Sequence, residues 1–413
     1  VGLNGSLSYY IVPNNTPIFP DFTRKRLLCK SSLAQFLLSF ILLPCTMSIV
    51  DCKFMLRESA KLTNSLHWHQ RIGTQRDWVW RGWQTRYTYL RPSRSQDPRN
   101  QDSIAIEDSA TQGIDSQQPA TPIILLHGFG ASIGHWRQNL PVLAEFHTVY
   151  ALDLLGFGAS QKAPLNYDVS VWVDQVYDFW LTFIRKPVVL AGNSIGSLIC
   201  LAAAAAHPDM VAGIVMISLP DPSVRAEAVP GWLLPAIEAV ESIFVSPLIL
   251  RPLFYLVRKP SFVRRWAAFA YSSPEAVTDE LVDILAGPAG DRGAARAFCA
   301  LFKAVGSSQF SPGVKTVLRN LTIPMLLIWG RQDRMIPPRF ARPHQFVECN
   351  PNYVELVELD HAGHCPQDEC PEQVNQEILN WMAGKFVLRG LVSSQQSVVS
   401  SHQQASKNLT NDE

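Results

Sequence analysis

The run "PVVLAGNSIGSLICLAAAAAHP" (residues 187–208) passes from branched apolar residues, through Gly-Asn-Ser-Ile-Gly, into an alanine-rich stretch. Its first part reads as a short buried strand and its last as a helix, so a tight turn must join them. Gly192 and Gly196 let the two elements approach closely, and Ser197 continues the small surface. A serine at such an elbow is lifted above the sheet edge, beside the free N–H groups that begin the next helix. A small-residue turn explains the glycines without help. The serine needs partners elsewhere.

Two segments supply them. "WGRQDRMIPP" places Asp333 just past an apolar run that ends at Trp329, and "LDHAGHCPQDECPEQV" places His364 just past one that ends at Leu359. In a parallel sheet, strand ends on the carboxyl side share one edge with the Ser194 turn, which is where open α/β sheets build their sites. A serine hydroxyl is a poor nucleophile until a neutral imidazole takes its proton, and that imidazole needs a carboxylate to fix its tautomer. Asp221, in "ISLPDPS", is the alternative acid. "LLHGFGASIGHW" (residues 125–136) follows another strand with glycines that can present backbone N–H groups. The N–H groups of Phe129 and Ile195 are the expected oxyanion donors.

Working outward, short apolar runs alternate with longer helical patterns. The runs are residues 122–128, 148–156, 187–192, 213–218, 323–330 and 353–359, and "WVWRGWQTRYTYL" (78–90) reads as the start of the sheet. Continuous apolar character implies strands covered on both faces, hence a mostly parallel sheet with helices on each side. Residues 170–184, the stretch after Ser194, and 371–386 carry helical spacing. Residues 220–320 break the rhythm with helical stretches and no strand, which predicts a helical cap inserted after the sixth strand. Its segment 231–271 is apolar on more than one face, read either as a small core of its own or as a membrane-contacting surface. Residues 91–121 are rich in Ser, Gln, Asp and Pro and residues 390–413 in Ser and Gln, and they are expected to be a flexible insertion and a disordered tail. Residues 1–46 carry "RKR" before "LAQFLLSFILL", which is either a targeting segment or extra sequence and is too short to span a bilayer.

Composition narrows the classes. The 413 residues are 47% hydrophobic and 17% charged, with a net charge of +1, so no nucleic-acid partner is expected. Eight cysteines in a chain of this length make no disulfide framework and suit a reducing compartment. The expected location is cytoplasmic, with peripheral membrane contact through the cap as an extension. His361, Cys365 and Cys370 beside His364 fit no common zinc spacing, so no metal site is expected. His127 and Asp153 read as supports for the loops around the serine. His135 and Trp136 are candidate lining of a substrate pocket.

These motifs together resemble the α/β-hydrolase family over residues 78–386, less the insertion. "HGFG", "GNSIG", "DLLGFGAS" (153–160) and "AGHCPQDECPE" carry the likeness, and the chain order Ser194, Asp333, His364 is the family's order. "HGFGASIGHWRQNLPVL" and "LDLLGFGASQK" are similar to the plant and cyanobacterial branch that includes pheophytinases and chlorophyll dephytylases. Ile195 and Ser197 depart from the common Gly-Asn-Ser-Leu-Gly-Gly form. The resemblance implies a cofactor-free serine hydrolase acting on a lipophilic ester, for instance a phytyl ester of a chlorophyll-type pigment. The alternatives are a perhydrolase or carbon–carbon bond hydrolase on the same triad, and a non-catalytic ligand-binding protein of this fold. Family members with an aspartate nucleophile are disfavoured by the serine at 194.

Overall fold

The computed structural model describes residues 67–92, 120–222, 246–305, 307 and 310–387. The 1–46 segment, most of the 91–121 insertion and the 390–413 tail lie outside the described residues. Eight strands form one sheet in the order β1-β2-β4-β3-β5-β6-β7-β8. They are β1 (Arg76–Trp80), β2 (Trp83–Leu90), β3 (Ile123–Leu126), β4 (Val149–Leu152), β5 (Val188–Asn193), β6 (Val211–Ile217), β7 (Met325–Gly330) and β8 (Val354–Leu359). From β4 through β3 to β8 every pairing is parallel. β2 pairs antiparallel with both β1 and β4.

The aromatic run at 78–90, read as one opening stretch, is a hairpin. Arg81 and Gly82 take φ of +48° and +84° between the paired Trp80 and Trp83. Two successive positive-φ residues make the tight turn whose twist matches antiparallel strands. Alternation of aromatic and polar residues continues across that turn, so the sequence pattern alone does not mark the reversal.

Helices cover both faces. Ile124, Leu126, Leu190, Ile214, Met216 and Leu327 pack against α1 (Val169–Phe183) and α2 (Ile195–Ala206). Ile123, Leu125, Val189, Val215 and Ile328 pack on the other face, against Leu140 and residues of the C-terminal helix such as Val374 and Ile378. Successive strand residues therefore serve opposite cores, which is why their sequence is apolar without a break. α1 begins where the Asp168 carboxylate accepts the N–H groups of Ser170 and Val171, at 2.8 and 3.3 Å.

Between β6 and β7 the described residues are helical: α3 (Pro247–Val257), α4 (Pro260–Ala270), α5 (Asp279–Ala286), α6 (Ala294–Val305) and α7 (Val314–Asn320). Val314 and Leu318 of α7, like Ala297, Leu301 and Ala304 of α6, are buried in the main core with α2. Ala267, Ala270, Tyr271, Val277, Leu281 and Val282 of this helical stretch form a small cluster together with Cys365 of the turn after β8. α8 (His344–Cys349) and α9 (Pro371–Met382) complete the body, α9 starting on a proline as a first helical turn allows. Among the described residues no helix is long and apolar enough to cross a membrane.

Candidate active site

Ser194 lies between β5 and α2 with φ +54° and ψ −118°, a conformation that non-glycine residues rarely hold. Such a residue costs about 1–3 kcal/mol and persists only where its surroundings fix it. Here they do. A Cβ on Gly192 would sit 2.3 Å from the Gly196 backbone, and one on Gly196 would sit 2.3 Å from the Leu126 carbonyl oxygen. Ser194 N–H donates to the Ile217 carbonyl at 2.8 Å, tying the elbow to β6. Ser197 fills the place of the usual glycine usefully. Its hydroxyl accepts the Ile217 N–H at 2.9 Å and lies 2.7 Å from the Gly192 carbonyl, so it joins β5, α2 and β6.

The turn after β8 brings His364 to the same edge. Its Nδ1 is 2.9 Å from Asp333 Oδ2, and the other Asp333 oxygen accepts the N–H groups of Met335 and Ile336, both at 2.8 Å. The Asp333 side chain is fully buried and that of His364 is nearly so. A carboxylate can only accept, so Nδ1 is the donor in this contact, and in the neutral ring this leaves Nε2 as the acceptor. Asp333, rather than the alternative Asp221, meets the imidazole. The His364 backbone is held from two sides. Its N–H donates to Ala270 of the cap at 2.8 Å, and its carbonyl accepts from Asn193 Nδ2 at 3.0 Å.

The glycine-rich loop after β3 reaches the elbow. A Cβ on Gly128 would lie 3.5 Å from Ser194 Cβ and 2.9 Å from Asn193 Oδ1, so the glycine lets the loop approach the elbow without displacing the Asn193 side chain. His127 braces the loop, donating from Nδ1 to the Gly128 carbonyl at 2.8 Å and accepting the Leu154 N–H on Nε2 at 3.1 Å. Burial lowers its pKa to about 4, which keeps the imidazole neutral and this pattern intact. Among the described residues, the N–H groups of Phe129 and Ile195 have no hydrogen-bond acceptor. Asp153 supports the loop from below, accepting Ile133 N–H and Ala159 N–H at 2.7 Å each. Burial raises its pKa to about 6 against those two donors. Gly158, at φ +50°, leaves no room for a Cβ beside that carboxylate, which accounts for the glycine in "DLLGFGAS".

His135 and Trp136, the candidate pocket residues, have other surroundings. Trp136 is fully buried in the apolar core with Ile123, Leu140 and Val374, a packing role rather than a pocket wall. His135 Nε2 is 2.9 Å from Tyr271 Oη, whose proton goes to Asp368 Oδ2 at 2.7 Å. Arg137 donates to Asp368 Oδ1 at 2.6 Å and to Glu280 Oε2 at 2.9 Å, and Arg71 also pairs with Glu280. Two cations thus meet two carboxylates, with His135 held neutral at a pKa of about 4 by burial. The network joins the loop after β3, the cap and the turn after His364.

Sequence reasoning passed over three further residues. Asn193, Tyr271 and Glu369 act across long sequence separations, and only the middle of Gly-Asn-Ser-Ile-Gly gave any signal. Glu369 Oε1 accepts Gly363 N–H at 2.9 Å and Oε2 accepts Ser272 N–H at 2.6 Å, which clamps the histidine turn to the cap.

The model of the alpha/beta hydrolase family matches residues 123–377. Chloroplastic pheophytinase of Arabidopsis thaliana is 26% identical over 308 residues, covering 64% of this chain and 61% of that protein. The dihydrolipoyllysine-residue acetyltransferase component of the acetoin cleaving system of Pseudomonas putida is 30% identical, covering 63% of each. The chain thus spans less than two thirds of the length of these two relatives. 2-Hydroxymuconate semialdehyde hydrolase of Pseudomonas sp. (strain CF600) is 28% identical over 59% of this chain and 83% of the relative. The solved structure of a serine hydrolase involved in carbazole degradation superposes with TM-score 0.56 at 19% identity, covering 75% of this chain and 98% of its own. At that identity the likeness concerns the fold. The eight-stranded sheet, the elbow at Ser194 and the matched family together show that this chain belongs to the alpha/beta hydrolase family.

Proposed function

We propose that the protein is a serine hydrolase that cleaves a carboxylic ester with a lipophilic part through an acyl-enzyme. The observation that carries this reading is the 2.9 Å contact between His364 Nδ1 and a buried Asp333, on the sheet edge that also holds Ser194 at positive φ. His364 Nε2 takes the Ser194 proton as Oγ attacks the acyl carbon, and Asp333 stabilises the imidazolium that forms. The N–H groups of Phe129 and Ile195 receive the negative charge on the carbonyl oxygen; removing one such donor costs about 2.7–4 kcal/mol in related chemistry. Collapse returns the proton to the leaving alcohol. Water, activated by the same imidazole, then releases the acid, so the sequence of steps calls for no cofactor.

The apolar cap and the likeness to pheophytinase favour a long apolar group in the substrate, such as a phytyl ester. Incubation with chlorophyll, pheophytin and a p-nitrophenyl ester series tests this: long-chain or phytyl esters should turn over, and turnover confined to acetate and butyrate esters contradicts it. A second reading, hydrolysis of a carbon–carbon bond on the same residues, draws on relatives named as a 2-hydroxy-6-oxo-6-(2'-aminophenyl)hexa-2,4-dienoic acid hydrolase and a 2-hydroxymuconate semialdehyde hydrolase. Cleavage of a 2-hydroxy-6-oxo-dienoate, with every ester left intact, would select it.

A further inference from the structure

The cap turns an apolar helix face outward. α3 buries Leu250 and Phe254, and on its opposite side Leu248, Tyr255 and Leu256 are 87%, 53% and 51% exposed. At 100° per residue these three share a stripe with Pro252 and Lys259, flanked on one side by Ile249 and Leu253 and on the other by Arg251 and Arg258. α4 adds exposed Trp266 and Phe269, one turn apart, with ring centroids separated by 6.1 Å. A helix of a folded domain normally shows water its polar side. This one has leucine on both.

Charge identifies what such a surface suits. Residues 246–274 contain Arg251, Arg258, Lys259, Arg264 and Arg265 and no aspartate or glutamate, although the whole chain has a net charge of only +1. Arg264 pairs with Asp279 of α5, and Arg258 lies over the Tyr255 ring at 4.8 Å. Leucine and aromatic side chains bordered by cations are the composition that seats a helix at the boundary between acyl chains and anionic head groups. A second copy of the same face would set arginine against arginine, which argues against self-association through it.

We propose that the outer face of α3, with the adjoining Trp266 and Phe269 of α4, docks on an anionic lipid surface. Leu248, Tyr255 and Leu256 enter the interface, and Arg251, Arg258 and Lys259 meet the head-group charge. The surface lies close to the catalytic edge in the chain: Ala270, the last residue of α4, accepts the His364 N–H. A lipophilic substrate would then reach the cap from the bilayer rather than through water. The docking stands apart from the chemistry assigned to Ser194, and its test needs no turnover.

The test uses the full chain carrying Ser194→Ala in flotation with vesicles of phosphatidylcholine alone or mixed with phosphatidylglycerol. Two double variants at exposed positions are compared, Leu248→Ser with Leu256→Ser and Arg251→Gln with Arg258→Gln, their folding checked by circular dichroism. The parent should bind the anionic vesicles about tenfold more tightly than the neutral ones, and each double variant should lose about tenfold on the anionic vesicles. Raising salt to roughly 0.5 M should erase the difference made by the arginines. Flotation of both variants like the parent, or no binding by the parent, overturns the proposal. A dimer that dissociates with the leucine pair would instead assign the face to a second copy and overturn it equally.

Discussion

At the scale of single residues, the elbow shows how a few small side chains set the backbone of Ser194. Gly196 has no room for a methyl group because its Cβ would meet the Leu126 carbonyl. Gly196→Ala should therefore unfold at lower urea than the parent, by more than about 1 kcal/mol, as overpacking generally costs 1–3. Ser197 is the informative departure. Ser197→Ala would remove the hydroxyl that bridges the Ile217 N–H and the Gly192 carbonyl and should cost about 0.5–1.5 kcal/mol in chemical denaturation, while the rate of ester turnover per folded molecule stays near the parent's. Asp333→Asn tests a different property. An amide can donate to Nδ1 and so favour the wrong imidazole tautomer, and kcat should fall by about 10⁴ with little change in KM. The elbow glycines and the pairing of Asp333 with His364 were legible in the sequence because each sits in a short motif at a strand end. Trp136 was not, since one ring beside a loop reads equally well as pocket lining or as core.

At the scale of elements, the cap and the histidine turn behave as one built unit. Ala270 ends α4 and Ser272 lies just past it, Glu369 lies just before α9, and hydrogen bonds involving all three converge on residues 361–365. Glu369→Gln would set an amide donor against one of the N–H groups of Ser272 and Gly363. Loosening of this clamp should lower kcat more than it raises KM, and a binding-only role for the cap predicts the reverse. The parallel strands were readable from continuous apolar runs, and the helical stretch between β6 and β7, among the described residues, from the lack of any strand there. The β1–β2 hairpin and the place of α7 were not, for physical reasons. A two-residue turn leaves alternation unbroken, and a seven-residue amphipathic helix has the same pattern whether it packs on a cap or on a sheet. Nor could pairings such as Asn193 with His364, separated by 171 positions, be read from either local pattern.

At the scale of the molecule, the site rests on buried neutral imidazoles. Folding lowers the pKa of His127 and His135 to about 4 from an ordinary 6.5. Both groups take up protons more readily when unfolded, so the stability they support is complete above about pH 6.5 and is lost as pH falls toward 4. Each contributes on the order of 3 kcal/mol to that loss. Asp153 works in the opposite sense, because its folded pKa is raised to about 6 and its penalty fades as the carboxyl protonates. Two losses against one smaller gain predict a net fall in the urea midpoint between pH 6.5 and 4. His127→Gln should flatten that fall; an unchanged profile would remove His127 from the account. The central claim, that Ser194 is the nucleophile, is most directly measured by labelling with a fluorophosphonate probe and locating the adduct by mass spectrometry. The account predicts one adduct, on Ser194, absent from Ser194→Ala; an unlabelled parent, or undiminished labelling of Ser194→Ala, would contradict it.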